Sequence, residues 1–179
     1  SKIFQNGKSA TKKDIHEGGE AMGPILGDQL RANYELKDTV QASFSSHKDP
    51  ASRGRRFGLS IYGTKGIVQL TTGSLPEAWL LEDPSWFPGR SKAAWKPITS
   101  KGVGKEEPLK DRSHDQDNRW IVEDLFEAIQ KDRQPKGSIY DGRAALEMIL
   151  AVYESHRQSK EVKIPLENRK HPLKVWASS

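Results

Sequence analysis

Chemistry in this 179-residue chain could reside in five histidines, one acidic pair, an arginine cluster and two glycine-lysine stretches. His16, His47, His114, His156 and His171 are scattered, and none falls into HxH or HExxH spacing, so no metal site is expected. His156 and His171, the latter just before Pro172, read as packing or capping residues. The absence of cysteine excludes disulfides, thiolate catalysis and cysteine-ligated metals. The run "HDQD" at His114–Asp117 could present a general acid or base near a helix start. The same residue types are those that cap a helix, which is the reading their position favours. In "SRGRRFG", Arg53, Arg55 and Arg56 offer forked donors to an anionic or polyhydroxyl ligand, and a solvated loop accounts for them equally well. Ser60 in "GLSIYGTKG" lacks the GxSxG frame and sits in a strand pattern. "GVGKEE" lacks both GxxxxGK[ST] and the strand-to-helix setting of a phosphate loop, and no GxGxxG follows a strand.

The elements that would position such groups are easier to read. Lys2–Gln5 reads as a short strand and Thr11–Glu17 as a helical turn. The glycines of "GGEAMGPILGD" make the remainder of residues 1–28 an extended connection. From Gln29 to Leu70 the apolar period is two, with Leu30, Ala32, Tyr34 and Leu36, then Val40, Ala42 and Phe44, then Phe57, Leu59 and Ile61 on one side. "GIVQLTTG" is a fourth run, and "GTKG" is a tight turn in which Gly63 and Gly66 can take positive φ. An antiparallel meander is expected, apolar on one face, with Ser, Gln, Arg and Thr on the other. Gly73–Lys110 holds three of the five tryptophans, Trp79, Trp86 and Trp95, among prolines. It reads as a long loop with "AWLLE" and "WKPIT" as edge strands. The tryptophans either staple this loop down or serve a ligand, and their large apolar area favours stapling.

The last third is helical. One helix follows the caps Ser113, Asp115 and Asp117, carries Ile121, Leu125, Ala128 and Ile129 at helical spacing and stops at Pro135. A second, Ile139–Gln158, opens on the capping pair Ser138 and Asp141. It buries Ala145, Met148, Ile149, Val152 and Tyr153 and turns Arg143, Glu147, Glu154 and Arg157 outward. "EVKIPL" returns as a strand. One wet face on each helix places both on one side of the sheet.

Composition narrows the partners. Net charge is +5, but lysines and arginines are spread among 24 acids without a basic block, which argues against nucleic acid. No apolar run approaches the ~20 residues that span a bilayer, and the first residues lack the apolar centre of a secretory signal. "KIF" without a lead-in reads as the interior of a longer polypeptide.

The order of these features carries a family resemblance. "RFGLSIYGTKGIVQL", a Trp/Pro loop, "DLFEAIQKDRQP" and then "SIYDGRAALEMILAVYESHRQSKEVKIPLENRKHPL" together resemble the C-terminal domain of the glucose-fructose oxidoreductase, inositol dehydrogenase and rhizopine-catabolism (Gfo/Idh/MocA) family, over roughly Gln29 to Leu173. The resemblance implies an α+β fold, a mainly antiparallel open sheet with two helices on one face and the other face free for oligomerisation. It implies that residues 29–179 form a substrate and oligomerisation domain whose NAD(P)-binding Rossmann partner is absent here. The fingerprint glycines, the "EKP" lysine and the Asp-x-x-x-His pair of the family are not found, so no catalytic residue carries over. The implied activity of the parent is NAD- or NADP-dependent oxidation or reduction of a sugar or polyol, with no cofactor bound by this chain alone. The implied substrate-facing residues are Arg56, Trp86, Arg90, His114 and Asn118, since aromatic faces suit sugar C–H surfaces and Arg, His and Asn bond hydroxyls. A homo-oligomer through the open sheet face is expected. A free-standing carbohydrate-binding module is the alternative that the tryptophans suggest.

Overall fold

A computed structural model describes residues 1–19, 23–48, 58–71, 77–85, 87–110 and 114–179. They fall into two compact units, Ser1–Ala51 with Gly137–Ser179, and Ser52–Lys136.

The first unit begins with β1 (Lys2–Gln5) and β2 (Lys8–Ser9). They are joined through Asn6 and Gly7, both at positive φ, the conformation an Asn-Gly hairpin turn requires. β3 (Ile15–Glu17) pairs with β4 (Pro24–Leu26), so four short strands form within residues 1–28. β5 (Gln29–Glu35) and β6 (Gln41–His47) complete a four-stranded antiparallel sheet in the order β2-β1-β5-β6. Register sets Ile3 opposite Leu30, Ala32 opposite Phe44 and Tyr34 opposite Ala42. One face of the sheet is therefore apolar, as the period of two requires.

The helix of this unit, which we label α2 because another precedes it in the chain, spans Ile139–Gln158. Its capping box forms as expected: Asp141 N donates to Ser138 Oγ at 3.2 Å and Ser138 N donates to Asp141 Oδ2 at 3.1 Å. Val152 joins Ile3, Ala10, Leu26, Ala32 and Leu173 in the core. His156 ties this helix to β1. Ile3 N donates to its Nδ1 at 3.2 Å, which leaves the proton on Nε2 to reach Ala10 O at 2.9 Å. Of the expected stripe, Val152 is buried and Met148 and Tyr153 are half-buried, whereas Ala145 and Ile149 are exposed.

Two expectations here are corrected. Glu147 and Glu154 do not point freely outward: Glu147 accepts from Leu166 N at 2.8 Å and Arg169 Nη1 at 2.7 Å, and Glu154 is held by Arg157 at 2.6 Å and by Gln158. "EVKIPL" has an extended apolar pattern yet forms no strand. Pro165 removes a ladder donor from its middle, and Leu166 N is taken by Glu147. A third helix, α3 (Pro172–Ala177), follows.

The second unit is a five-stranded antiparallel meander in the order β11-β10-β9-β8-β7. Its strands are β7 (Gly58–Gly63), β8 (Gly66–Thr71), β9 (Glu77–Leu81), β10 (Lys96–Thr99) and β11 (Gly102–Val103). The four strands expected as one meander thus divide, β5 and β6 in one sheet and β7 and β8 in another. β9 and β10, expected at an edge, lie inside the sheet order. Period two fixes the face a side chain takes but not the strand it pairs with. Register puts Leu59, Ile61, Val68, Leu70, Ala78, Leu80 and Ile98 on one face. Leu59 and Ile61 there are half-exposed, whereas Leu81 and Ile67 on the opposite face are buried.

The unit closes with α1 (His114–Gln130), whose first turn holds Asp115 and Asp117 where the helix dipole favours negative charge. Ser113 lies outside the described residues. The helix ends before Pro135 is reached, because Asp132 takes a left-handed turn and Arg133 N bonds back to Ala128 O at 2.9 Å. Asp124 then accepts from Lys136 N and Arg133 Nη2, which secures the exit. Ala128 is buried, but Ile121, Leu125, Phe126 and Ile129 remain exposed.

Candidate functional site

Of the five residues expected to face substrate, Arg56 and Trp86 lie outside the described residues. Arg90 ends a short 3-10 turn, Pro88–Arg90, in the second unit. Its guanidinium sits 4.7 Å from the centre of the Phe87 ring, and Arg90 N donates to Phe87 O at 2.9 Å. A cation over an aromatic face is held in place while its outward N–H groups stay available. Phe87 is 62% exposed, so the pair forms an open ledge of one ring and one forked donor.

His114 and Asn118 stand one helical turn apart at the start of α1, and Asn118 is exposed.

The loop around Arg90 is organised by carboxylates that sequence reasoning missed. Asp83 is only 6% exposed, and its Oδ1 accepts from Ser85 N at 2.9 Å. Bonds from the Ser91 hydroxyl first, then from the Ser85 backbone and hydroxyl, hold its carboxyl below the usual range. Its Oδ2 has no hydrogen-bond partner among the described residues. The signal was present in "DPS", since Asp two residues ahead of a backbone N–H favours this local turn. Glu82 pairs with Lys96 of β10. Glu107 accepts from Ser100 N, Ser100 Oγ and Leu109 N, which hold it below the usual carboxylate range. These contacts shape the described stretches between and beyond β9, β10 and β11 in the Trp/Pro segment.

Open grooves also flank the Glu161–Ile164 segment of the first unit. One of about 870 Å³ is lined by polar groups that include Asn33, Glu35, Gln41, Ser43 and Lys163. Its far side, about 510 Å³, runs past Pro165 and Pro172.

Among the described residues no group of His, Asp and Glu is placed to hold a metal ion, and no helix is long and apolar enough to cross a membrane. Nor do the described strands form a Rossmann-type dinucleotide site. Such a site needs parallel strands with a glycine turn opening a helix at the pyrophosphate, and every described strand pairing here is antiparallel. What the arrangement offers is binding surface and shape.

Comparison with protein families decides the class. Residues 9–164 match the model described as "Oxidoreductase family, C-terminal alpha/beta domain" (GFO_IDH_MocA_C). The chain belongs to this oxidoreductase family. No curated protein and no solved structure matches the chain. The family accords with the α+β architecture, its antiparallel sheets and its three helices. It does not favour the free-standing carbohydrate-binding module.

Proposed function

We propose that this chain is the substrate-shaping and assembly part of an NAD- or NADP-dependent oxidoreductase that acts on a sugar or polyol. The observation that carries the reading is the family match over residues 9–164. Hydride chemistry in such an enzyme belongs to the nicotinamide, and a protein part without a dinucleotide site serves to bind, orient and exclude water. Because the described strands form no Rossmann-type site, this reading assigns cofactor binding to a separate N-terminal part.

The substrate class rests on the Phe87–Arg90 ledge, which pairs a ring face for C–H surface with charged donors for hydroxyl oxygens. Arg56, Trp86, His114 and Asn118 complete this reading as hydroxyl- and ring-binding residues. Self-association is assigned to the sheet of the second unit, where Leu59, Ile61, Val68, Leu70 and Leu80 share a face with none of them buried.

Arg90→Ala tests the substrate role in the complete oxidoreductase. A charged donor that bonds the substrate equally in ground and transition states should raise KM about tenfold on removal, with kcat little changed. An unchanged KM across hydroxylated substrates would remove Arg90 from the site.

A further inference from the structure

The family match stops at residue 164, and α3 lies beyond it. This helix nevertheless completes the core of the first unit. Pro172 and Leu173, its first two residues, are buried, and it packs against α2, β4 and the 3-10 turn Lys12–Asp14. Its N-cap is His171, whose Nδ1 accepts from Leu173 N at 3.3 Å while the ring lies 6.0 Å from that of Tyr153.

An imidazole can cap a helix in this way only while Nδ1 keeps its lone pair. A proton on Nδ1 would set one N–H against another. It would also place positive charge at the positive end of the helix dipole, beside Lys174. The titratable and charged groups around α3 are Lys174 on α3 itself, Lys170 just before it, Glu17 on β3, Tyr153 and His156 on α2, and Lys12, Lys13 and Asp14 in the 3-10 turn, with Lys12 Nζ donating to Ser179 O at 3.3 Å. Glu17 favours the imidazolium, whereas Lys174 opposes it. The His156 ring meets Trp176 edge-on at 5.9 Å.

We propose that α3 is an acid-released clasp with His171 as its sensor: the neutral ring closes the helix over the core, and the imidazolium loosens it. Burial, with Lys174 next, holds the His171 ring below its ordinary value, partly offset by Glu17. The folded-state value therefore lies under the unfolded one. The stabilisation is complete above the ordinary imidazole value and is lost as pH falls through the window beneath it. Asp14, held below the usual carboxylate range by Thr11, stays ionised through that window, so the 3-10 turn does not release first.

The test is amide hydrogen exchange of Val175, whose N–H bonds to His171 O, in the full 179-residue chain between about pH 7.5 and about pH 5, after correction for intrinsic exchange. Loss of the cap should lower Val175 protection about fivefold at the acid end, while the amides of α2 keep theirs. His171→Asn, which caps without titrating, should stay docked at neutral pH and abolish the acid response. His171→Ala should be loosened at both pH values. An acid response that persists in His171→Asn, or one shared equally by α2 so that the whole unit opens together, overturns the proposal. So does constant Val175 protection in the unsubstituted chain.

Discussion

Gly66→Ala is expected to destabilise the five-stranded sheet by about 3 kcal/mol, at the upper end of ordinary overpacking. A Cβ on Gly66 would stand 2.2 Å from Leu81 O, 3.2 Å from Leu81 C and 3.3 Å from Glu82 Cα. All three are backbone atoms, so no side chain can rotate to make room. β8 and β9 would have to separate where Glu82 and Asp83 lead into the loop that carries Phe87 and Arg90. The other glycine of the hairpin provides the control. At Gly63 the nearest neighbour of an added Cβ is Gly66 O at 3.5 Å, an ordinary contact. Denaturant titration should therefore show a large fall in midpoint for Gly66→Ala and little change for Gly63→Ala. Equal effects would show that the close approach to β9 does not govern this position.

Leu173→Ala is the second large effect, expected to cost about 3 kcal/mol within the ~2–5 kcal/mol range for truncating a buried leucine. Leu173 has no exposed surface and meets Ile3, Ala10, Leu26, Ala32 and Val152 in the core. Truncation leaves a cavity under a helix of six residues, too short to persist without its docking contacts. Leu36→Ala, at a side chain 45% exposed, should fall within about 0.5 kcal/mol of the parent. A Leu173→Ala chain as stable as Leu36→Ala would mean that α3 does not help to hold the core.

Local signals in the sequence were reliable where one residue type answers one local need. The capping box of Ser138 and Asp141 marked the start of α2, and Lys2–Gln5 is β1. His171 caps a helix and His156 packs against its neighbours, the roles their positions suggested. The Asn6-Gly7 hairpin turn and the helix that opens at Pro172 were not expected, although an Asn-Gly pair and a proline at the first helical position are the local signals for them. Non-local facts were hidden. Alternation told which side of a strand is apolar, but nothing in it assigned β6 and β7 to different sheets. The role of Gly66 is likewise non-local: Leu81, fifteen positions on, is what leaves no room for a side chain.

The site was legible as residue types more than as geometry. Arg90 could be named as a donor, yet its seat on Phe87 depends on a turn that Asp83 and its serine partners help to shape. Arg56 and Trp86 fall outside the described residues, so their roles rest on the family reading.

On the proposed function, this α/β part leaves the nicotinamide cofactor to another part of the enzyme. Calorimetric titration of NAD and of NADP into the 179-residue chain tests it most directly. No saturable heat for either dinucleotide up to about 1 mM is the predicted result. A one-site isotherm in the micromolar range for either would contradict the account.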